Sequence, residues 1–324
     1  MTLSAVIHRT GGPEVIEWRE HDLPPPGPGE VRMRHTAIGL NFIDTYHRTG
    51  LYPLELPSGL GSEAAGVIEA VGEGVTGWRV GERVATFGPG LGAYATERNV
   101  AADTLFRLPD AISDELAAAV LLKGATAECL AERCCALLED DIVLVHAAAG
   151  GVGHILVQWL KYLDTTVIGT AGSPEKAELA RNAGADYVIE YKQHDIAQRV
   201  REFTVGMGCA VVFDGVGAAT WQASLDSVAR RGLIVSYGNA SGPVTGVALG
   251  TLAAKGSLFV TRPTLFDYYK ASDERADGIA RVFELVAEGA IEVEIGQRYA
   301  LKDAAEAHRA LQAGETIGST LLIP

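Results

Sequence analysis

A doubly wound α/β sheet joined to a smaller all-β domain is the architecture the sequence predicts, on three observations. The chain has 324 residues, long for one core and comfortable for two domains. From residue 142 onward, short apolar runs alternate with helical patterns, the mark of a parallel sheet covered on both faces. Before residue 120, alternating strands are broken by proline- and glycine-rich turns, which points to a barrel-like all-β domain.

The second part is organised around Asp140 to Ile155. Ile142 to Val145 is rich in β-branched residues, as a strand buried on both faces should be. Val152, Ile155, Leu156, Trp159 and Leu163 recur at helical spacing, so a helix starts at Val152. Between them lies a tight turn, Ala148-x-Gly150-x-x-Gly153, measured against the G-x-G-x-x-G dinucleotide fingerprint. Alanine replaces the first glycine. Gly150 lets the backbone approach a pyrophosphate, and Gly153 lets the helix pack closely on its strand. Glycine in such a turn also serves geometry alone, so the surroundings decide. Five more strand-like runs follow at 166–169, 187–189, 210–213, 233–236 and 258–261. Six parallel strands complete a Rossmann domain, with its ligand crevice at their carboxyl ends.

The end of the second strand reports on the nucleotide. An NAD-selective site usually places a carboxylate there against the ribose hydroxyls, but the expected position falls near Ala171. Without that acid a 2′-phosphate meets no repulsion, and Ser173 and Lys176 offer a hydrogen bond and a cation. Glu175 can point to solvent from the first helical turn. The same residues also make an ordinary helix cap with a solvated lysine; between the two readings, NADPH is preferred.

In the first part, Leu23 to Glu30 is a rigid proline-rich connection feeding an alternating strand at 31–38. Further strands are expected at 66–71, 83–86 and 93–100, and helices at 113–122, 277–288 and 303–313. The closing residues 318–324 look like a strand. With six strands already assigned to the Rossmann part, this tail is expected to return to the first domain. The division predicted is 1–123 completed by 263–324, with 124–262 inserted as the nucleotide domain and the active site in the cleft between them.

Composition limits the partners. Lys and Arg number 27 against 41 Asp and Glu, a formal charge of −14, which repels a phosphate backbone and disfavours nucleic acid. No apolar run is long enough for a membrane span, and the first residues lack a signal-peptide core. Cys129, Cys134, Cys135 and Cys209 form no spaced C-x-x-C pair, so reduced thiols in a cytoplasm are expected rather than zinc. His146 and His154, flanking the glycine turn, read as local hydrogen-bonding residues.

The order of parts resembles the medium-chain dehydrogenase/reductase superfamily, specifically its zinc-free, zeta-crystallin-like quinone oxidoreductase branch. The stretches that carry the resemblance are Asp140–Leu144, Ala148–Gly153, Gln158 to Lys161, Gly39–Asp44, Gly61–Gly66, Tyr237–Asn239, Lys255–Leu258 and Thr261–Pro263. The resemblance implies a GroES-like fold for the first domain and a cytoplasmic homodimer. Zinc-dependent relatives carry a cysteine at or near Asn41 and Gly-His-Glu where this chain has Gly61-Ser62-Glu63. Catalytic zinc needs three protein ligands, so no metal is expected. A quinone stabilises its own reduced anion and needs mainly positioning.

Residue by residue, the resemblance implies Asn41 and Tyr46 as polar catalytic groups, with Tyr52 lining the acceptor pocket. Gly150, Gly151, Val152 and Gly153 would meet the pyrophosphate; Gly172, Ser173, Lys176 and Tyr191 the 2′-phosphate. Asn41, Thr126, Asn239 and the Phe259, Val260 and Thr261 backbone would lie toward the nicotinamide. Two departures stand out: Glu128-Cys129 replace an aromatic pair, and Gly314 replaces an arginine found in some relatives. The function expected is NADPH-dependent reduction of a quinone or other conjugated carbonyl. An NADPH-dependent enone or 2-enoyl thioester reductase is the alternative enzyme, and an NADPH-binding structural or RNA-associated protein the alternative of another class.

Overall fold

The computed structural model describes residues 1–88 and 90–324. The chain divides into two compact units, 1–122 with 293–324, and 123–292. The first unit opens with an antiparallel ribbon of β1 (Thr2–Val6) and β2 (Glu17–His21). There follow β3 (Glu30–Leu40), helix α1 (Phe42–Thr49), β4 (Glu63–Val71), β5 (Arg83–Phe87), β6 (Glu97–Ala101), β7 (Leu105–Arg107) and helix α2 (Asp114–Glu128). Strand β3 is the long central member, pairing antiparallel with β4 on one side and with β6 along its first half. Val31, Met33, Ile38 and Leu40 of β3 are buried with Ile68 and Val84 in a single apolar cluster, each contributing roughly 1.5–3 kcal/mol by leaving water.

In the second unit the strands are β8 (Ile142–Val145), β9 (Thr166–Ala171), β10 (Tyr187–Glu190), β11 (Cys209–Asp214), β12 (Val228–Ser236) and β13 (Phe259–Thr261). Between them lie helices α3 (Gly151–Tyr162), α4 (Pro174–Asn182), α5 (Ile196–Phe203), α6 (Trp221–Ser227) and α7 (Leu249–Ala254), and beyond them α8 (Leu265–Tyr268) and α9 (Ser272–Ala287). All sheet pairings are parallel, in the order β10-β9-β8-β11-β12-β13. In sequence rank that is 3-2-1-4-5-6, the doubly wound order whose switch point lies beside the first strand. Leu144, Ile168, Ile189, Val212 and Ile234 pack as one layer on a face of this sheet. Helix α4 begins at the Ser173 cap, whose hydroxyl accepts from Lys176 N, with Pro174 in the first turn.

The chain re-enters the first unit at Val293, later than the residue 263 expected from the sequence. Helix α9 explains the difference. Its Arg281 guanidinium lies 5.0 Å over the Tyr162 ring and pairs with Glu132 at 3.6 Å. Just beyond it, the Glu292 carbonyl accepts from Gln158 Nε2 at 2.8 Å. These contacts keep α9 with the second unit. The remaining elements are β14 (Ile295–Ala300), α10 (Ala304–Gln312) and β15 (Ser319–Ile323). β15 pairs antiparallel with β3, Thr320 opposite Leu40, so the last strand of the chain braces the strand that leads to α1. Among the described residues no helix is long and apolar enough to cross a membrane.

Candidate active site

In the first unit the candidate residues gather at the end of β3. Asn41 leaves the strand in an extended conformation and caps α1, its own backbone N–H donating to Asp44 Oδ2 at 2.9 Å. The Asn41 side chain is turned inward, Nδ2 donating to Glu63 Oε2 at 2.8 Å. Glu63 is completely buried, and its other oxygen accepts from the Leu122 N–H at 2.7 Å. Two positions that the resemblance assigns to metal binding in zinc-dependent relatives are thus tied to each other here. The third, Ser62, donates its hydroxyl to Asp44 Oδ1 at 3.0 Å. Among the described residues no group of three or more His, Cys, Asp or Glu side chains is arranged to hold a metal ion.

Asp44 is the hub of this group. It also accepts from the Tyr94 hydroxyl at 3.1 Å, and Tyr94 in turn meets His308 Nε2 of α10 at 2.9 Å. Because Tyr94 gives its proton to Asp44, His308 donates from Nε2. Burial raises the Asp44 carboxyl to about 6, against the hydrogen bonds from Asn41, Ser62 and Tyr94. Burial lowers His308 to about 3, helped by the nearby Arg48 cation. One turn beyond Asn41, Tyr46 is nearly buried and stands edge-on to Tyr52, ring centroids 5.2 Å apart. Phe42 completes the aromatic group at 6.2 Å from Tyr46. The expected trio of Asn41, Tyr46 and Tyr52 therefore shares one helix, its cap and its following turn, with the Asn41 side chain bonded to Glu63.

In the second unit the candidate residues gather at the carboxyl ends of the parallel strands. After β8, Ala147 takes a positive φ of 52° and its N–H donates to Thr170 Oγ1 at 3.1 Å. Because Ser224 gives its proton to Asp214, His146 donates from Nε2 to Ser224 Oγ (3.1 Å), and its unprotonated Nδ1 accepts from Thr170 Oγ1 (3.3 Å). Ser224 passes the chain on to Asp214 Oδ2 at 2.7 Å. Burial lowers His146, with Asp214 opposing; this histidine is the buried local partner the sequence indicated. The turn it supports brings α3 so close that a Cβ on Gly153 would collide with the Ala147 carbonyl. Helix α3 starts at Gly150 with no side-chain cap and no acid in its first turn. The first N–H groups of an α-helix have no partner within the helix, and its N-terminus is the positive end of its dipole, a setting that suits an anion.

The end of β9 adds a second polar corner. A Cβ on Gly172 would collide with the Tyr191 hydroxyl, so Tyr191 lies against the Gly172 backbone. Ser173 and Lys176 open α4, while Glu175 is exposed. Lys176 is lowered by burial first and then by a second cation, Lys192, with Glu175 pulling the other way. Sequence reasoning missed Lys192. Its only signal was its place directly after Tyr191, and its approach to Lys176 depends on the β9–β10 register that sets Glu190 opposite Ala171.

Asn239, beyond β12, holds the Gly238 carbonyl at 3.0 Å and accepts from Arg262 Nη2 at 3.2 Å in the amide orientation that satisfies both. Thr261 ends β13 opposite Val235, close to the same strand ends, whereas Phe259 and Val260 are largely exposed along this edge strand. Thr126 sits on α2. At the departures, Glu128 is buried and accepts from Arg133 Nε at 2.7 and 2.9 Å and from the Tyr269 hydroxyl at 2.8 Å. An ion pair closed by a tyrosine occupies the place of the aromatic pair. Gly314 is exposed with a φ of 67°.

Residues 27–110 match the family model described as the alcohol dehydrogenase GroES-like domain, and residues 151–274 the one described as zinc-binding dehydrogenase. A quinone oxidoreductase of Pseudomonas aeruginosa is 54% identical, over 97% of this chain and 97% of that protein. The chain belongs to the quinone oxidoreductase family. Within that family, the Escherichia coli quinone oxidoreductase solved in complex with NADPH superposes with a TM-score of 0.97 at 47% identity, covering 99% of this chain and 100% of that one. A 2-haloacrylate reductase of a Burkholderia species is 44% identical over 100% of this chain and 99% of that protein. The fold of this chain is that of the medium-chain dehydrogenase/reductase superfamily, a GroES-like domain with a parallel Rossmann sheet.

Proposed function

We propose that this protein is an NADPH-dependent quinone oxidoreductase that works without zinc. The observation that carries the nucleotide choice is the corner after β9, where Ser173, Lys176, Tyr191 and Lys192 gather and β9 ends on Ala171 rather than on an acid. The uncapped α3 start and the glycine contact at Gly153 fit the pyrophosphate. Asn239, Thr126 and the Phe259 to Thr261 backbone are the candidates for the nicotinamide end. The Escherichia coli relative solved with NADPH supports the choice of nucleotide.

Bound NADPH supplies a hydride. What the chain's own residues do is bind, orient and protonate. Tyr46, nearly buried and backed by Tyr52, offers a phenol to one oxygen of a flat conjugated acceptor. Asn41 holds the start of α1 through Glu63, so that Tyr46 is presented from a fixed helix. A reduced quinone becomes an aromatic anion, so holding it in place and giving it a proton suffices. Zinc is not needed for that chemistry, and Asn41 and Ser62 are engaged with carboxylates instead.

The 2-haloacrylate reductase relative favours one second reading, reduction of an activated alkene, for which Tyr46 would protonate the carbon beside the activating group. A spectrophotometric panel of NADPH oxidation across quinones, enones, 2-enoyl thioesters and aldehydes, with metal analysis of the same sample, tests both. Fastest turnover of quinones in a zinc-free preparation is expected. Stoichiometric zinc required for turnover, or inactivity toward every quinone, would overturn the proposal.

A homodimer in the cytoplasm completes the reading. The edge strand β13 leaves Phe259 60% and Val260 39% exposed, an apolar edge suited to a second copy. The four unpaired cysteines suit a reducing compartment. Sedimentation equilibrium should return twice the chain mass; a monomer at micromolar concentration would remove the dimer.

A further inference from the structure

Three of the four cysteines lie in Cys129-Leu130-Ala131-Glu132-Arg133-Cys134-Cys135. In a regular α-helix, residues five apart are rotated by about 140° around the axis, and their side chains do not meet. Here α2 ends in a π turn over Cys129–Arg133, closed by Cys134 N donating to the Cys129 carbonyl at 2.9 Å. The wider turn brings residue i+5 back beside residue i. Cys129 Sγ and Cys134 Sγ are 3.7 Å apart. A disulfide needs about 2.05 Å, so closure asks for a shift of under about 2 Å, available on the side of the partly exposed Cys134.

We propose that Cys129 and Cys134 form an oxidisable dithiol that a hydroperoxide converts to an intramolecular disulfide, Cys134 reacting first and Cys129 resolving. The surroundings divide the roles. A hydrogen bond from the Cys129 thiol, seconded by the Tyr268 hydroxyl of α8, holds Cys134 below the ordinary thiol range, against burial and the Glu128 carboxylate. The same contact, with burial, pushes Cys129 well above that range. Cys134 is therefore the sulfur with thiolate character, the nucleophile. Cys135 is pushed up to about 12 by burial and donates to the Leu130 carbonyl at 3.4 Å. Cys209 is buried in β11 and is pushed up to about 12 by burial. Both are spectators.

In the first step the Cys134 sulfur attacks one peroxide oxygen, an S–O bond forms, the O–O bond breaks, and the departing oxygen leaves as alcohol or water after taking a proton. The Cys129 sulfur then attacks Cys134, an S–S bond forms, the S–O bond breaks, and hydroxide leaves as water with the Cys129 proton. The two thiols are oxidised by two electrons and the peroxide is reduced by two.

The test uses the full-length protein with hydrogen peroxide. Free thiols should fall from four to two and return with dithiothreitol. Trypsin cleaves after Arg133, so under non-reducing conditions the Cys129 peptide stays attached to the Cys134 peptide only if they are bridged; the Cys135→Ser protein should give the same bridge. Cys134→Ser should lose no thiols at that dose, and Tyr268→Phe should slow thiol loss several-fold with the same product. A Cys134–Cys135 bridge, a bridge between two chains, or four thiols persisting in the wild-type protein would each overturn the proposal without any variant being needed.

Discussion

Asn41 Nδ2 donates to Glu63 Oε2 across 2.8 Å, with Asn41 only 7% exposed and Glu63 fully buried. The pair is the internal brace of α1, because Glu63 also accepts the Leu122 N–H. Removing the carboxylate strands two buried donors, each costing about 1–3 kcal/mol. Glu63→Ala is expected to lower unfolding free energy by about 3 kcal/mol, read from urea titration. A loss below about 1 kcal/mol would show that the brace contributes little.

The corner after β9 sets nucleotide preference in the proposed function. Lys176→Ala removes a charge-assisted contact worth about 1.5–3 kcal/mol, so KM for NADPH should rise about 10- to 100-fold while KM for NADH changes little. Lys192→Ala should act in the same direction but less, since Lys192 is exposed and screened. Equal effects on both nucleotides would show that neither lysine reads the 2′-phosphate.

Tyr46 should divide kinetic from binding effects. A phenol that protonates the acceptor contributes to turnover and not to nucleotide affinity. Tyr46→Phe keeps the ring that packs on Tyr52, so fold and NADPH fluorescence titration should be unchanged while kcat falls about 100-fold. An unchanged kcat would take Tyr46 out of the mechanism.

The parallel sheet was legible because its strands are β-branched runs separated by helices with their own caps, a pattern set within each segment. The glycine turn was legible for the same reason. What the sequence did not show depends on pairing across distance. Lys192 reaches Lys176 only through the β9–β10 register, and Asp44, Tyr94 and His308 meet from three distant stretches. Amphipathic α9 announces that one face is buried but not against what, so the return at Val293 could not be read in advance. The Cys129–Cys134 contact was hidden because it needs a π turn, and five-residue spacing in an ordinary helix separates the thiols.

That distant network gives the fold a dependence on pH. His308 sits neutral between Tyr94 and the Arg48 cation, its value lowered from 6.5 to about 3 by burial and then by Arg48. An unfolded chain binds the His308 proton below about 6.5 and the folded one does not, so stability from this group is complete above 6.5 and is lost as pH falls toward 3. His35, lowered to about 3 by burial with Arg98 adding to it, works in the same direction. Asp44 opposes them: raised to about 6, its contribution is present below the unfolded value of 3.8 and lost as pH rises through 6. His146 and His47, also lowered by burial, act with these two histidines, while Glu128, raised by burial, acts with Asp44; the histidines outnumber the carboxyls, so stability falls as pH drops from 6.5 to 4.5. His308→Gln keeps a donor for Tyr94 and carries no titrating proton, so its unfolding free energy should fall less steeply, by up to about 1.4 kcal/mol per pH unit. Urea titrations of both proteins across this range measure the two slopes; parallel curves would mean that His308 is protonated in the folded protein as readily as in the unfolded chain.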